Sequence, residues 1–136
     1  MSIILCENNK NKKGVYMDIY NTKILSIGSM ANSFSEAKII ILFGSSVPPE
    51  LKDYCYEISV NPLIYNPDNS MKLYINDVEY KITAVGDEVF KNLSELGHVT
   101  LNFNNSEVAE LPGTIYLEDK PIPKININDI IKISSN

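Results

Sequence analysis

Leu73-Tyr74-Ile75-Asn76-Asp77-Val78-Glu79-Tyr80-Lys81-Ile82 sets the reading of this chain. Leu73, Ile75, Val78, Tyr80 and Ile82 flank Asn76-Asp77, and Asn and Asp tolerate the positive φ that a two-residue hairpin turn needs. The stretch therefore reads as two short strands joined by a tight turn. Downstream, Asp87–Leu96 predicts a helix, because Asp87 can cap its free N–H groups. Val89, Phe90, Leu93 and Leu96 fall on one stripe, and Gly97 supplies a left-handed stop. His98–Phe103 returns to strand, with Val99, Leu101 and Phe103 facing one way and His98, Thr100 and Asn102 the other. Gly113–Leu117 and Ile130–Ile133 read as the last strands, separated by the extended Pro121-Ile122-Pro123.

Upstream of the hairpin, Tyr54–Val60 alternates, with Tyr54, Tyr56, Ile58 and Val60 on one face and Cys55, Glu57 and Ser59 on the other. Ala37–Phe43 is a continuous apolar run stopped by Gly44, the pattern of a strand buried on both faces. Pro48-Pro49-Glu50 can open one helical turn, and Gly28–Ser35 reads as a small polar loop. Met17–Ser26 reads as the first strand of a domain over residues 17–136. Residues 1–16 form an N-terminal extension, in which Ser2–Cys6 could pair as an edge strand and Glu7–Lys13 is a polar linker. An open edge on that strand could let two copies of the chain pair as a homodimer. Eight or nine short strands with one helix, at about 87–96, place the chain in the all-β class, as a single barrel-like or sandwich domain. The 19 Ile and 8 Val agree, since β-branched residues favour sheet.

Charge narrows the function. Twelve Lys and no Arg stand against 17 acidic residues, giving a net charge of −5. A nucleic-acid or anionic-membrane binder needs a basic stripe, which this balance does not supply. The longest apolar run, Ile39–Phe43, is far short of the roughly 20 residues that span a bilayer. The N-terminal lysines follow the apolar stretch, the reverse of a signal peptide, so a cytoplasmic protein without membrane insertion is expected. Cys6 and Cys55 make neither a disulfide framework nor a redox pair, and reduced buried thiols are expected.

Few residues carry chemistry. His98 is the single histidine, two residues beyond the predicted helix and on the polar face of its strand. One reading makes it a solvated or hydrogen-bonded side chain, favoured as imidazolium by the helix C-terminus. The other makes it a nucleophile or phosphoryl acceptor, with Thr100 as an orienting hydroxyl. A metal site is not expected, because one His without neighbouring ligands cannot fill four positions. Glu107 and Glu110 suit a solvated loop face better than acid–base work, and Ser45-Ser46 has no base for a hydrolase triad.

Three segments go further. Ala84-Val85-Gly86, then Asn92-Leu93-Ser94-Glu95-Leu96-Gly97-His98-Val99-Thr100-Leu101-Asn102-Phe103, then Ala109-Glu110-Leu111-Pro112-Gly113-Thr114-Ile115 resemble the glucitol/sorbitol-specific IIA component of the bacterial sugar phosphotransferase system. The likeness runs from about Met17 to about Ile133, and Pro48–Cys55 fits the family's acidic segment ending in cysteine. It implies a phosphocarrier that accepts a phosphoryl group from the carrier protein HPr on a histidine. It then passes that group to the IIB component of the sugar permease, with its IIC membrane part, and needs no metal or cofactor.

The resemblance also carries a departure. Family members read Cys-Phe-Ile-His after that cysteine, and this histidine is the usual phosphoryl acceptor. Here the segment reads Cys55-Tyr56-Glu57-Ile58-Ser59-Val60, so Ile58 stands at the acceptor position and Val60 where some members carry a second histidine. Two readings follow. In one, His98 accepts the phosphoryl group, supported by Thr100 and Gly97. In the other, the chain is a IIA-like binding or regulatory module that transfers nothing, and His98 holds the helix-to-strand corner through a hydrogen bond.

Overall fold

A computed structural model of the chain describes residues 2–5 and 15–135. Cys6 and the Glu7–Lys13 linker lie outside the described residues. The strands are β1 (Ser2–Leu5), β2 (Val15–Ile27), β3 (Ile39–Phe43), β4 (Tyr56–Ile58), β5 (Lys72–Ile75), β6 (Val78–Val85), β7 (Val99–Asn102), β8 (Thr114–Leu117) and β9 (Ile130–Ser135). They pair in the order β1-β2-β4-β3-β7-β8-β6-β5-β9, and a further β2–β9 pairing joins the ends. With β1 set aside, the other eight strands close into a barrel, which removes the open edges a sandwich would keep. The all-β expectation holds, and of its two forms the barrel is the one adopted.

Strand β2 makes closure possible. Its 13 residues pair with β1 at the start, with β9 from Met17 to Lys23 and with β4 from Ile24 to Ile27. Register shifts at Asp18/Tyr20 and Ile24/Ser26 bend it between these partners, as bulges do at barrel corners. The edge strand expected in the N-terminal extension is present, with Ile3 opposite Met17. Most pairings are antiparallel, but β3–β4 and β7–β8 run parallel. Inward residues fill the lumen: Ile19, Ile24, Leu73, Ile75, Tyr80, Ile82, Leu101, Phe103 and Ile115 are essentially inaccessible. Tyr80 and Phe103 meet edge to face at 4.9 Å, a preferred geometry for aromatic rings. Fully burying one such side chain contributes about 1.5–3 kcal/mol, so this lumen is the source of stability.

The 73–82 hairpin forms as read, and Asn76 adopts φ 53 at its tip. The tip is tied to β9, because Asn76 Oδ1 accepts the Ile130 N–H at 2.9 Å and the Asn76 N–H donates to the Ile130 carbonyl at 2.8 Å.

The helical turn expected from Pro48-Pro49-Glu50 forms as α1 (Pro49–Lys52), and the helix expected at about 87–96 forms as α2 (Val89–Leu96). Three expectations need correction. A 3-10 helix, Ala31–Ala37, occupies most of the stretch read as a loop; only Ala31 is buried in it, so no apolar stripe announces it. It ends where Lys38 takes a left-handed φ of 63. Asp87 does not cap α2: Glu88 is the N-cap, without a side-chain bond, and its N–H donates to the Pro112 carbonyl at 2.8 Å. The 8-residue α2 buries Val89 and Leu93 against the barrel end but leaves Phe90 and Leu96 exposed, so its apolar stripe is half used. Finally, β4 shrinks to three residues. Tyr54 and Val60 are exposed, and Cys55 on the opposite face is buried.

Candidate functional site

The site lies on the outer wall, where β2, β4, β3 and β7 run side by side. Alternation along β7 turns Val99 and Leu101 inward and leaves Thr100 and Asn102 on the outer face, with His98 just before the strand. On β4, Tyr56 and Ile58 point into the core while Glu57 points out. Registration then aligns four side chains. Ser26 is opposite Glu57, and its hydroxyl donates to Glu57 Oε1 at 2.9 Å. Glu57 is opposite Phe43 across the parallel pair. Phe43 is the neighbour of His98, and their rings stack with centroids 4.1 Å apart and planes inclined by 14°.

Two glycines shape the end of this row. Gly97 caps α2 at φ 69, where its N–H and that of His98 donate to the Leu93 and Asn92 carbonyls at 3.0 and 3.1 Å. The Gly44 N–H donates to the Leu96 carbonyl at 2.9 Å, locking the β3 exit to the end of α2. A Cβ on Gly97 would come within 3.0 Å of the Gly44 nitrogen, and one on Gly44 within 2.6 Å of the Leu96 carbonyl oxygen. The close approach needs glycine on both sides. Exposed Val60 packs over the pair, and Ser45 and Ser46 follow as exposed hydroxyls.

Burial pushes the His98 pKa below its ordinary value of 6.5. The imidazole is therefore neutral at pH 7, opposite to the imidazolium expected from the helix C-terminus alone. Among the described residues no hydrogen bond reaches its ring, so the corner is held by stacking and by the Asn92 carbonyl accepting the backbone N–H. Thr100 stands opposite Ile41, two residues along the same face, and makes no hydrogen bond to the ring. Ile58 is 1% exposed and belongs to the core, so a side chain at that position faces the lumen.

Sequence reasoning singled out His98, Gly97 and Thr100 and missed Phe43, Gly44 and Ser26. The parallel β3–β4 register that brings Phe43 beside Glu57 leaves no local trace in the sequence. Of the other candidates, Glu107 and Glu110 sit exposed on a loop. Burial raises the Cys55 thiol pKa, which keeps it protonated and unreactive.

A closed barrel that presents one neutral, stacked imidazole on its wall is a small β-domain suited to nucleophilic chemistry. Comparison with known proteins makes the class specific. Residues 19–132 match the family described as the glucitol/sorbitol-specific IIA component of the phosphotransferase system. The glucitol/sorbitol-specific EIIA components of Shigella flexneri and of Escherichia coli strain K12 are each 34% identical over 105 residues, covering 77% of this chain and 85% of theirs. The crystal structure of a phosphotransferase system IIA component from Enterococcus faecalis V583 superposes with a TM-score of 0.70 at 29% identity, covering 82% of this chain and 97% of that one. This chain belongs to the glucitol/sorbitol-specific IIA family. Among the described residues no helix is long and apolar enough to cross a membrane.

Proposed function

We propose that the chain is a cytoplasmic phosphocarrier that takes a phosphoryl group from HPr on His98 and passes it to the IIB component of a sugar permease. The observation that carries this reading is the His98 ring itself. It is neutral at pH 7, has no hydrogen bond among the described residues and is held in orientation by Phe43. A neutral imidazole has a free lone pair with which to attack phosphorus in line. The new N–P bond forms as the N–P bond to a donor phosphohistidine protonated on its other ring nitrogen breaks, so that the donor leaves as neutral imidazole, His98 becomes the phosphoimidazolium and no proton needs to move. Onward transfer repeats the step with His98 as the leaving group.

Electrostatics permit the step. An anionic phosphoryl group near a helix C-terminus is disfavoured by roughly 0.3–1 kcal/mol when exposed. Here the carbonyls of Asn92, Leu93 and Leu96 already accept hydrogen bonds, which reduces the free negative end facing His98. The hydroxyls of Ser45 and Ser46, beyond Gly44, are donors suited to phosphoryl oxygens. The net charge of −5 suits a carrier with a basic docking face.

A second reading, a family member that binds partners without transferring, is favoured by one observation. Ile58, which the resemblance sets at the position of the family's usual acceptor, lies in the lumen and carries no nucleophile. Intact-protein mass after incubation with phosphoenolpyruvate, the general phosphotransferase enzyme and HPr separates the two. An acid-labile gain of one phosphoryl group, lost in His98→Gln, supports the carrier. No gain with donors verified as active leaves the binding module.

A further inference from the structure

A cavity of about 520 Å³ opens between the 3-10 helix Ala31–Ala37 and the extended segment 122–126. This volume lies within the range of small-molecule sites, about 300–1,000 Å³. It sits on the other side of β4 from the His98 row, since Tyr56 lines it while the adjacent Glu57 faces out beside Phe43. Its apolar lining comes from Ile27, Ile39, Ile40 and Ile122, with Pro123 closing one side.

Polar side chains share the lining: Ser29, Asn32, Ser35, Tyr56, Lys124 and Asn126 contribute. Tyr56 lines the cavity, and its hydroxyl, which is not among the fully buried atoms, has no hydrogen-bond partner among the described residues. The hydroxyl is open to the cavity, so its donor and acceptor capacity is available to whatever enters. Burial also raises the Tyr56 pKa, which keeps the hydroxyl a donor at neutral pH. At the exposed end, Asn32, Ser35 and Lys124 line the cavity, and Lys124 pairs with no carboxylate among the described residues. One cation with amide and hydroxyl donors matches a single negative charge, and the isoleucine walls match a compact apolar body.

We infer that this cavity binds a small organic monocarboxylate, with its apolar body between Ile40 and Ile122, its carboxylate at Lys124 and the Tyr56 hydroxyl as a second polar anchor. The site stands whether or not His98 carries a phosphoryl group, because it shares no residue with the His98 row.

The test is an amide-resolved NMR titration of the full chain with 3-phenylpropionate, and with 3-phenylpropanol as a neutral isostere. Saturable shifts at residues 32, 56 and 125 are expected with the acid. The alcohol should bind roughly three- to tenfold more weakly, the scale of one charge-assisted contact near a surface. Lys124→Gln, a change at an exposed side chain, should erase that preference, and Ser35→Trp, which projects an indole into the cavity from the surface, should abolish binding of both. Equal affinity for acid and alcohol in the unaltered protein, or no saturable shift at these residues, would overturn the inference.

Discussion

The imidazole of His98 lies flat against the phenyl ring of Phe43, centroids 4.1 Å apart and planes inclined by 14°. Stacking holds the ring in one orientation without occupying either nitrogen. It also covers one face of the ring, and burial is what lowers the pKa.

Phe43→Leu keeps an apolar side chain at this position but removes the aromatic face. We expect a stability loss that includes about 0.5–1.5 kcal/mol from the aromatic contact. The His98 pKa should rise towards 6.5. Denaturant unfolding measures the first effect, and an NMR titration of the imidazole the second. A pKa unchanged by the substitution would separate Phe43 from control of the site.

His98→Gln should abolish phosphoryl labelling while leaving the fold intact, because the ring stacks on the outer wall and not in the lumen. The melting temperature should fall only modestly, through loss of the stack. Persistence of labelling in this variant would move the acceptor off histidine altogether, since His98 is the single histidine of the chain.

Stability should depend on pH through the same residue. The folded pKa lies below the unfolded value of 6.5, so the unfolded chain takes up the proton first as pH falls. The stabilising contribution is complete above pH 6.5 and is lost as pH drops from there towards the lower folded pKa. Thermal melts between about pH 7.5 and 5.5 should show the unaltered protein losing stability relative to His98→Gln. Parallel curves would contradict the lowered pKa.

Gly97→Ala tests the junction behind His98. Its φ of 69 is left-handed, and an added Cβ would come within 3.0 Å of the Gly44 nitrogen. Left-handed strain in a non-glycine residue is of order 1–3 kcal/mol, so a loss at least of that size is expected in equilibrium unfolding. A loss well below that would show that the helix end and the β3 exit can separate freely.

Tyr20→Phe should act in the opposite direction. The Tyr20 hydroxyl is buried and makes no well-formed hydrogen bond; the nearby Thr22 hydroxyl lowers its pKa slightly but spends its own proton on the Ser59 carbonyl at 2.7 Å. Burial holds the Tyr20 pKa far above the usual phenol value. Removing an unsatisfied buried hydroxyl should leave stability equal or raise it by about 1 kcal/mol, read as a higher denaturant midpoint. A marked loss would reveal a partner for that oxygen.

Much of the fold was legible locally. Alternation in 73–82 and 98–103 gave the correct inward faces because a strand half-buried in a barrel must repeat every two residues. Gly97 was legible as a helix stop because few other residues adopt its φ. The 3-10 helix was not legible, since it buries a single side chain, Ala31. The N-cap of α2 was misread because the Glu88 N–H finds the Pro112 carbonyl, 24 residues away, in place of a local side chain.

What the sequence determined by itself was the all-β class, the hairpin, the family and the singular His98, all properties of short segments or of residue identity. Closure of the barrel, the parallel pairing of β3 with β4, the placement of Ile58 in the lumen and the stack of Phe43 on His98 were decided only in three dimensions. They depend on which distant strands become neighbours and in what register. Registers are set by the summed burial of the whole lumen, a quantity that no single stretch of the chain contains.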